Sequence, residues 1–129
     1  MKNLLIKPTQ SSPEINFNFE QNILEFRGVS YPENTAEFYE PVFLWLEEYF
    51  RTVQNQAIAI NIDLIYFNTS SSKVLMDFFD LLEEESEKGK TITINWYYDE
   101  DNSSSLEAGE EFQEDVSSLT FNLIEKKIQ

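Results

Sequence analysis

The sequence predicts an α/β domain built on a mixed β-sheet. Two observations support this class. Strand patterns alternate with amphipathic helix patterns over most of the chain, and two strand patterns follow each other directly near the start. β-α-β units favour parallel strands joined by right-handed crossovers, whereas adjacent strands with a short turn form an antiparallel hairpin. The predicted order is β-β-α-β-α-β-α-β, in a single domain spanning residues 1–129.

The opening hairpin is predicted from the alternation of side chains in residues 14–20. Apolar and polar residues alternate there, and a period of two is typical of a half-buried strand. Residues 21–22, Gln-Asn, supply a turn, and residues 23–29 form the returning strand.

The first helix is predicted to follow Asn34, which can cap a helix with Glu37 as its capping-box partner. Apolar residues then recur with helical spacing. Pro41 leaves two alternatives, because a proline inside a helix removes a backbone hydrogen bond. Either the main helix begins near Glu40, or residues 35–40 form a separate, kinked turn.

The middle of the chain predicts a central strand and a second helix. Residues 57–67 are rich in isoleucine and lack clean alternation, with Asn61 and Asp63 as polar exceptions, which predicts a strand covered on both faces. The helix that follows ends near Glu87, with Gly89 as its C-cap.

The last third of the chain predicts a strand, a short helix and a final strand. Residues 91–98 alternate, and residues 106–116 carry apolar side chains at helical spacing. Residues 119–123 alternate again. Residues 99–105 have loop composition and are expected to be mobile. The aromatic run 96–98 either lines a binding surface or packs in the core, and core packing is the more common outcome.

Charge and composition exclude several functional classes. The formal net charge of −15 repels nucleic acid and anionic membranes, so neither is expected as a partner. The absence of cysteine and histidine excludes thiol chemistry, histidine-based catalysis and histidine-ligated zinc. No glycine-rich phosphate loop is present, and no cofactor is expected. Neither a signal peptide nor an apolar run of about 20 residues occurs, which predicts a cytoplasmic protein.

Carboxylates leave one enzymatic alternative open. The candidate ligands for Mg²⁺ or Ca²⁺ are Asp63, Asp77, Asp80, Glu83 and Glu84. A solvated helix face opposite the apolar one explains most of the same residues, and we favour that interpretation. A small metal-dependent enzyme therefore remains an alternative, as does an acidic inhibitor that occupies a basic partner surface.

Residues 68–73, Asn-Thr-Ser-Ser-Ser-Lys, lie between a strand pattern and a helix pattern. Backbone N–H groups lack partners at a helix start and the helix dipole is positive there, so an anion is stabilised. A phosphate on Thr69 would be such an anion. From the residues alone, the segment is either an ordinary helix cap or a phosphorylation switch.

Five sequence blocks, taken in order, resemble a known family. They are residues 31–34 (Tyr-Pro-Glu-Asn), 67–71, 76–82, 96–99 and 110–115. Together they resemble the SiaC family of bacterial regulatory phosphoproteins, which are small domains related to the STAS anti-sigma factor antagonists. The resemblance implies a STAS-like fold and a protein that is not an enzyme. No block matches within residues 116–129.

The resemblance also implies a signalling cycle. Thr69 would be phosphorylated by a histidine-kinase-like ATPase acting as a protein Ser/Thr kinase, and a PP2C-type phosphatase would reverse the modification. The unphosphorylated form would bind and regulate an effector such as a diguanylate cyclase. A third serine, Ser72, departs from the family pattern, so modification of Ser71 or Ser72 stays an alternative.

Partner-binding residues are expected around Thr69, at the edge of the sheet where open α/β sheets place their sites. They are Asn68, Ser70, Ser71, Lys73, Tyr31, Pro32, Glu33 and Asn34.

Overall fold

The computed structural model describes residues 1–127, which form a six-stranded mixed sheet and three helices. The strands are β1 (Leu4–Ile6), β2 (Glu14–Asn18), β3 (Ile23–Ser30), β4 (Ala57–Phe67), β5 (Thr91–Asp99) and β6 (Thr120–Lys126). The helices are α1 (Thr35–Thr52), α2 (Thr69–Glu87) and α3 (Ser103–Asp115). The predicted α/β class with a mixed sheet is confirmed.

The strands lie in the sheet in the same order as in the chain. β1, β2 and β3 are antiparallel neighbours, while β3 to β6 are parallel. Each parallel pair is joined by one helix. Because neighbouring strands joined by crossovers of the same hand place their helices on the same side, α1, α2 and α3 all cover one face. The other face of the sheet is open.

The prediction that β4 is covered on both faces is wrong. Its inward side chains, from Ile58 to Leu64, are buried at alternate positions, whereas Asn61 and Asp63 on the open face are only partly buried. Asn61 accepts a hydrogen bond of 2.9 Å from Asn95 Nδ2 on β5. The two polar residues were therefore the outward half of an alternating pattern.

The structure adds β1 to the predicted order and shortens the predicted first strand. Leu4–Ile6 pairs with β2 at the edge of the sheet, and three residues are too few to show a period. β2 ends at Asn18, because the Asn18 Oδ1 accepts the N–H of Gln21 at 3.0 Å and starts the turn. Asn22 closes the turn with a left-handed φ of 57°.

Helix α1 is continuous from Thr35, so both alternatives for Pro41 are wrong. The predicted cap is confirmed, since Asn34 Oδ1 accepts the N–H of Glu37 at 3.0 Å. Asn34 Nδ2 also donates to the Glu37 carboxylate at 3.2 Å. Buried side chains on both sides of Pro41 hold the helix on the sheet and offset the missing hydrogen bond.

The segment expected to be a mobile loop, residues 99–105, is a loop only in part, because its first residue belongs to β5 and its last three are helical. Residues 103–105 form the first turn of α3, and Asn102 Oδ1 caps it by accepting the N–H of Ser105 at 3.1 Å. Serine and asparagine are common in loops and are also what a helix start prefers. The connection after β5 therefore consists of residues 100–102 alone.

Aromatic side chains fill the core between the sheet and the helices. Trp96 is fully buried, and its ring centroid lies 5.5 Å from that of Phe112 and 5.8 Å from that of Phe67. Trp96 and Tyr98 face the helices, whereas Tyr97 lies on the open face beside Asp63. Core packing therefore accounts for most of the aromatic run. None of the helices formed by residues 1–127 has the length and apolarity needed to cross a bilayer.

Candidate functional site

Thr69 is the first residue of α2 and follows β4 after a single residue. Asn68 caps the helix, since its Oδ1 accepts the N–H of Ser71 at 2.9 Å and its backbone oxygen accepts the N–H of Ser72 at 2.9 Å. The N–H groups of Thr69 and Ser70 precede this first intrahelical bond. Among residues 1–127 these two helix donors have no hydrogen-bond partner, and they lie beside an exposed threonine.

The four hydroxyl groups of the junction differ in accessibility. Thr69 and Ser70 are exposed, Ser72 is partly buried, and Ser71 is buried. A kinase must bring the hydroxyl into its own active site, so Thr69 and Ser70 are the accessible acceptors. Modification of Ser71 would require the first turn of α2 to open.

Ser71 belongs to a buried network of three hydroxyl groups. Its Oγ lies 2.7 Å from the Oγ of Ser30, which in turn lies 2.6 Å from the hydroxyl of Tyr39. Burial raises the pKa of Tyr39 to about 12, so this hydroxyl keeps its proton at neutral pH. The network joins β3, α1 and α2, and the N–H of Asn68 adds a bond of 3.0 Å to the backbone oxygen of Ser30.

This network gives Ser71 a different position from the one expected of a partner-binding residue. Its side chain points into the protein and holds the start of α2 in place. Sequence reasoning missed Ser30 and Tyr39. A serine at a strand end and a tyrosine on the buried face of a helix carry no signal that they meet, because residues 30 and 71 are far apart in the chain.

The two segments expected to form one surface lie together. Tyr31 contacts Tyr66 with ring centroids 5.8 Å apart, and Ser70 lines an open depression together with Glu33 and Asn34. Pro32, between them, is partly buried. Both segments lie at the edge where the parallel strands end, called here the carboxyl edge. Their role in binding a partner stays a prediction.

Lys73 is the cation of the junction. It is exposed, and within residues 1–127 it forms no ion pair. It follows Thr69 by four residues, which places the two side chains on the same face of α2. The ammonium group is thus available to an anion at Thr69.

The candidate metal ligands do not form one group, because Asp77, Asp80 and Glu84 line one surface depression while Asp63 lies on the other side of the sheet. Asp63 lies on the open face and accepts a charge-assisted hydrogen bond of 2.7 Å from Lys126, whereas Asp77 and Asp80 lie on α2, on the other side of the sheet. Glu83 accepts a hydrogen bond of 2.6 Å from Ser118. The described part of the chain contains no group of three or more carboxylates placed to hold a metal ion.

Comparisons with known proteins identify relatives along nearly the whole chain. Residues 6–126 match the family described as SiaC family regulatory phosphoprotein. The match extends through β6, beyond the last of the five blocks. The chain is also 39% identical over 117 residues to an uncharacterized protein of Pseudomonas aeruginosa (strain UCBPP-PA14), which covers 91% of this chain and 92% of that protein.

Solved structures show the same fold. The chain is similar to apo-SiaC from Pseudomonas aeruginosa, with 36% identity and a TM-score of 0.84, covering 98% of this chain and 99% of that one. It is similar as well to a chain in the crystal structure of the diguanylate cyclase SiaD in complex with its activator SiaC from Pseudomonas aeruginosa. The identity there is 35% and the TM-score 0.84, over 97% of this chain and 99% of that one. The resemblance carried by the five blocks is confirmed, and the chain belongs to the SiaC family of regulatory phosphoproteins.

Proposed function

We propose that this protein is a signalling switch controlled by phosphorylation of Thr69, and that its unphosphorylated form binds and regulates a diguanylate cyclase. The observation that carries this proposal is the position of the Thr69 hydroxyl. It is exposed at the first residue of α2, while the neighbouring Asn68 and Ser71 are engaged in the cap and the buried network. The complex of the related SiaC with SiaD supports the choice of effector.

The kinase and the phosphatase follow from the family resemblance. A histidine-kinase-like ATPase acting as a protein Ser/Thr kinase adds the phosphate, and a PP2C-type phosphatase removes it. The protein itself acts as a binding module and not as an enzyme. Its partners contact the exposed residues of the junction and of the neighbouring segment, namely Asn68, Ser70, Lys73, Tyr31, Pro32, Glu33 and Asn34.

The protein's own fold accommodates the phosphate. Phosphorylation adds roughly −1.5 to −2 charges and three acceptor oxygens. At Thr69 these oxygens meet the N–H groups of Thr69 and Ser70, the positive end of the α2 dipole and the ammonium of Lys73. The Ser71–Ser30 bond and the Asn68 cap need not break. The modified protein therefore stays folded.

The effector, in contrast, is released by the phosphate. A partner that packs against the neutral junction excludes water from Thr69. Removing water from a dianion costs several kcal/mol unless the partner supplies matching charges. Unphosphorylated protein therefore binds, and phosphorylated protein does not.

Site mapping tests the first step of this cycle. After treatment with a kinase of the histidine-kinase-like ATPase class from the same genome, intact mass should rise by one phosphate, and fragmentation should place it on Thr69. Thr69→Ala should abolish the modification, whereas Ser70→Ala, which removes the other exposed hydroxyl, should keep it. A phosphate found on Ser70, Ser71 or Ser72 and absent from Thr69 would contradict the proposal.

A further inference from the structure

Strand β4 carries a β-bulge just before the junction. Along most of their length β3 and β4 pair residue by residue, with Gly28 opposite Leu64. The register then shifts by one residue, so that Val29 lies opposite Tyr66 and Ile65 is the additional residue. A bulge reverses the alternation of side chains beyond it and is often found beside functional sites, where it redirects a side chain.

The bulge changes which side chains face the core. Continued alternation after Leu64 would bury Tyr66 and turn Phe67 outward. Instead, Phe67 packs against the aromatic core, with its ring centroid 5.8 Å from that of Trp96, while Ile65 and Tyr66 are 57% and 55% exposed. Two consecutive large apolar side chains are thus presented to solvent.

A third exposed aromatic residue joins them. Tyr31, which follows β3 and is 42% exposed, packs edge-to-face against Tyr66 with centroids 5.8 Å apart. The bulge is also fixed from the other side, because the Asn102 side chain donates a hydrogen bond of 3.0 Å to the backbone oxygen of Ile65. Tyr31, Ile65 and Tyr66 therefore form one ordered apolar cluster, called here the aromatic edge.

Folding alone does not account for the aromatic edge. Within residues 1–127, seven large apolar side chains are exposed, and three of them belong to this one cluster at the end of two adjacent strands. A bulge interrupts the ladder of hydrogen bonds, and clustered apolar exposure is typical of protein interaction sites. The cluster also lies only three residues before Thr69.

The charged residues near the aromatic edge are mostly acidic, and Lys73 at the adjacent junction is the exposed cation among them. Glu33 follows Tyr31 by two residues and lines the depression beside Ser70 together with Glu37, and the exposed Asp101 precedes the Asn102 that anchors the bulge. Lys126, the nearby cation of β6, is engaged by Asp63 at 2.7 Å and by Asp99 at 3.4 Å. A partner that complements this surface carries an apolar centre surrounded by lysine and arginine.

We propose that the aromatic edge is the apolar centre of the surface that docks the effector, and that the effector meets it with an apolar patch bordered by basic residues. The inference rests on the proposed function and identifies the part of the surface that supplies the affinity. It also explains why Thr69 controls binding, since an apolar patch that covers Tyr66 excludes water from the adjacent junction. Aromatic anchors at the centre of an interface commonly dominate its binding energy.

The test measures binding of the unphosphorylated protein to SiaD from Pseudomonas aeruginosa by calorimetry. Tyr66→Ala is expected to weaken binding roughly tenfold or more, as expected for an interface anchor. Ile65→Ala is a second variant at the same surface and should weaken binding in the same direction. Tyr66→Phe keeps the ring and should bind within about threefold of the unsubstituted protein. Circular dichroism confirms that each variant is folded.

Leu44→Ala is the matched control. Leu44 is 58% exposed, like Tyr66, but lies on α1 outside the aromatic edge, so its replacement should leave the affinity unchanged. If the folded Tyr66→Ala and Ile65→Ala variants bind SiaD with unchanged affinity while Thr69→Asp still loses binding, the proposed docking surface is wrong and the proposed effector is retained. Absence of binding by the unsubstituted protein would overturn the proposed effector and this surface with it.

Discussion

Replacing Thr69 by aspartate is expected to weaken effector binding at least about thirtyfold, the equivalent of about 2 kcal/mol. Replacing it by alanine should leave binding intact. Both variants lose the hydroxyl, and only the aspartate adds a charge that a docked partner must desolvate. Calorimetric titration against SiaD measures the difference. Thermal unfolding should show both variants folded, because an acidic side chain at the first position of α2 is compatible with the helix dipole.

Ser117→Asp serves as the control for net charge. Ser117 is exposed and follows α3, at the opposite end of the sheet from the junction. The Ser117→Asp variant carries the same added charge as Thr69→Asp, but the charge lies away from the aromatic edge. Its affinity for SiaD should equal that of the unsubstituted protein. Equal affinities of Thr69→Asp and Thr69→Ala would refute charge-controlled release.

Gly109→Ala is expected to lower the free energy of unfolding by about 1–3 kcal/mol. In an ordinary helix interior the same change stabilises by roughly 0.5–1 kcal/mol. At this position an added Cβ would lie 2.6 Å from Trp96 Cδ1 and 2.8 Å from Leu123 Cδ2. The indole cannot move aside, because it is fully buried and its Nε1 donates to the backbone oxygen of Ser105 at 3.0 Å.

Urea denaturation followed by tryptophan fluorescence measures this change. Glu110→Ala, at the exposed neighbouring position of α3, should stay within about 0.5 kcal/mol of the unsubstituted protein. A Gly109→Ala variant as stable as the unsubstituted protein, or more stable, would show that α3 can shift on the sheet to make room for a methyl group.

Local sequence patterns predicted the type of each long helix and strand correctly. The helix cap at Asn34 and the end of α2 near Gly89 follow from the chemistry of single residues. The one-sided cover of the sheet was not predictable in the same way. It depends on the spatial order of the strands, which becomes evident only when β3 to β6 are seen as consecutive neighbours.

In the candidate site, too, the sequence predicted the locally determined feature and not the features that depend on spatial contacts. Thr69 was predicted as the phosphorylation site from its position between a strand and a helix together with the family blocks, and both are local properties. The hydroxyl network of Ser30, Tyr39 and Ser71 joins three elements and has no local signal. The bulge could not be predicted from the sequence, because Ile65 lies within a run of apolar residues and the run does not show which side chains face outward.

The most direct measurement compares the affinity of two forms of the same chain for SiaD. One form carries a phosphate on Thr69 alone, verified by fragmentation, and the other is the same sample after treatment with a PP2C-type phosphatase. Control by phosphorylation predicts that the phosphorylated form does not bind measurably and that removal of the phosphate restores binding. Equal affinity of the two forms, or tighter binding by the phosphorylated form, would contradict it.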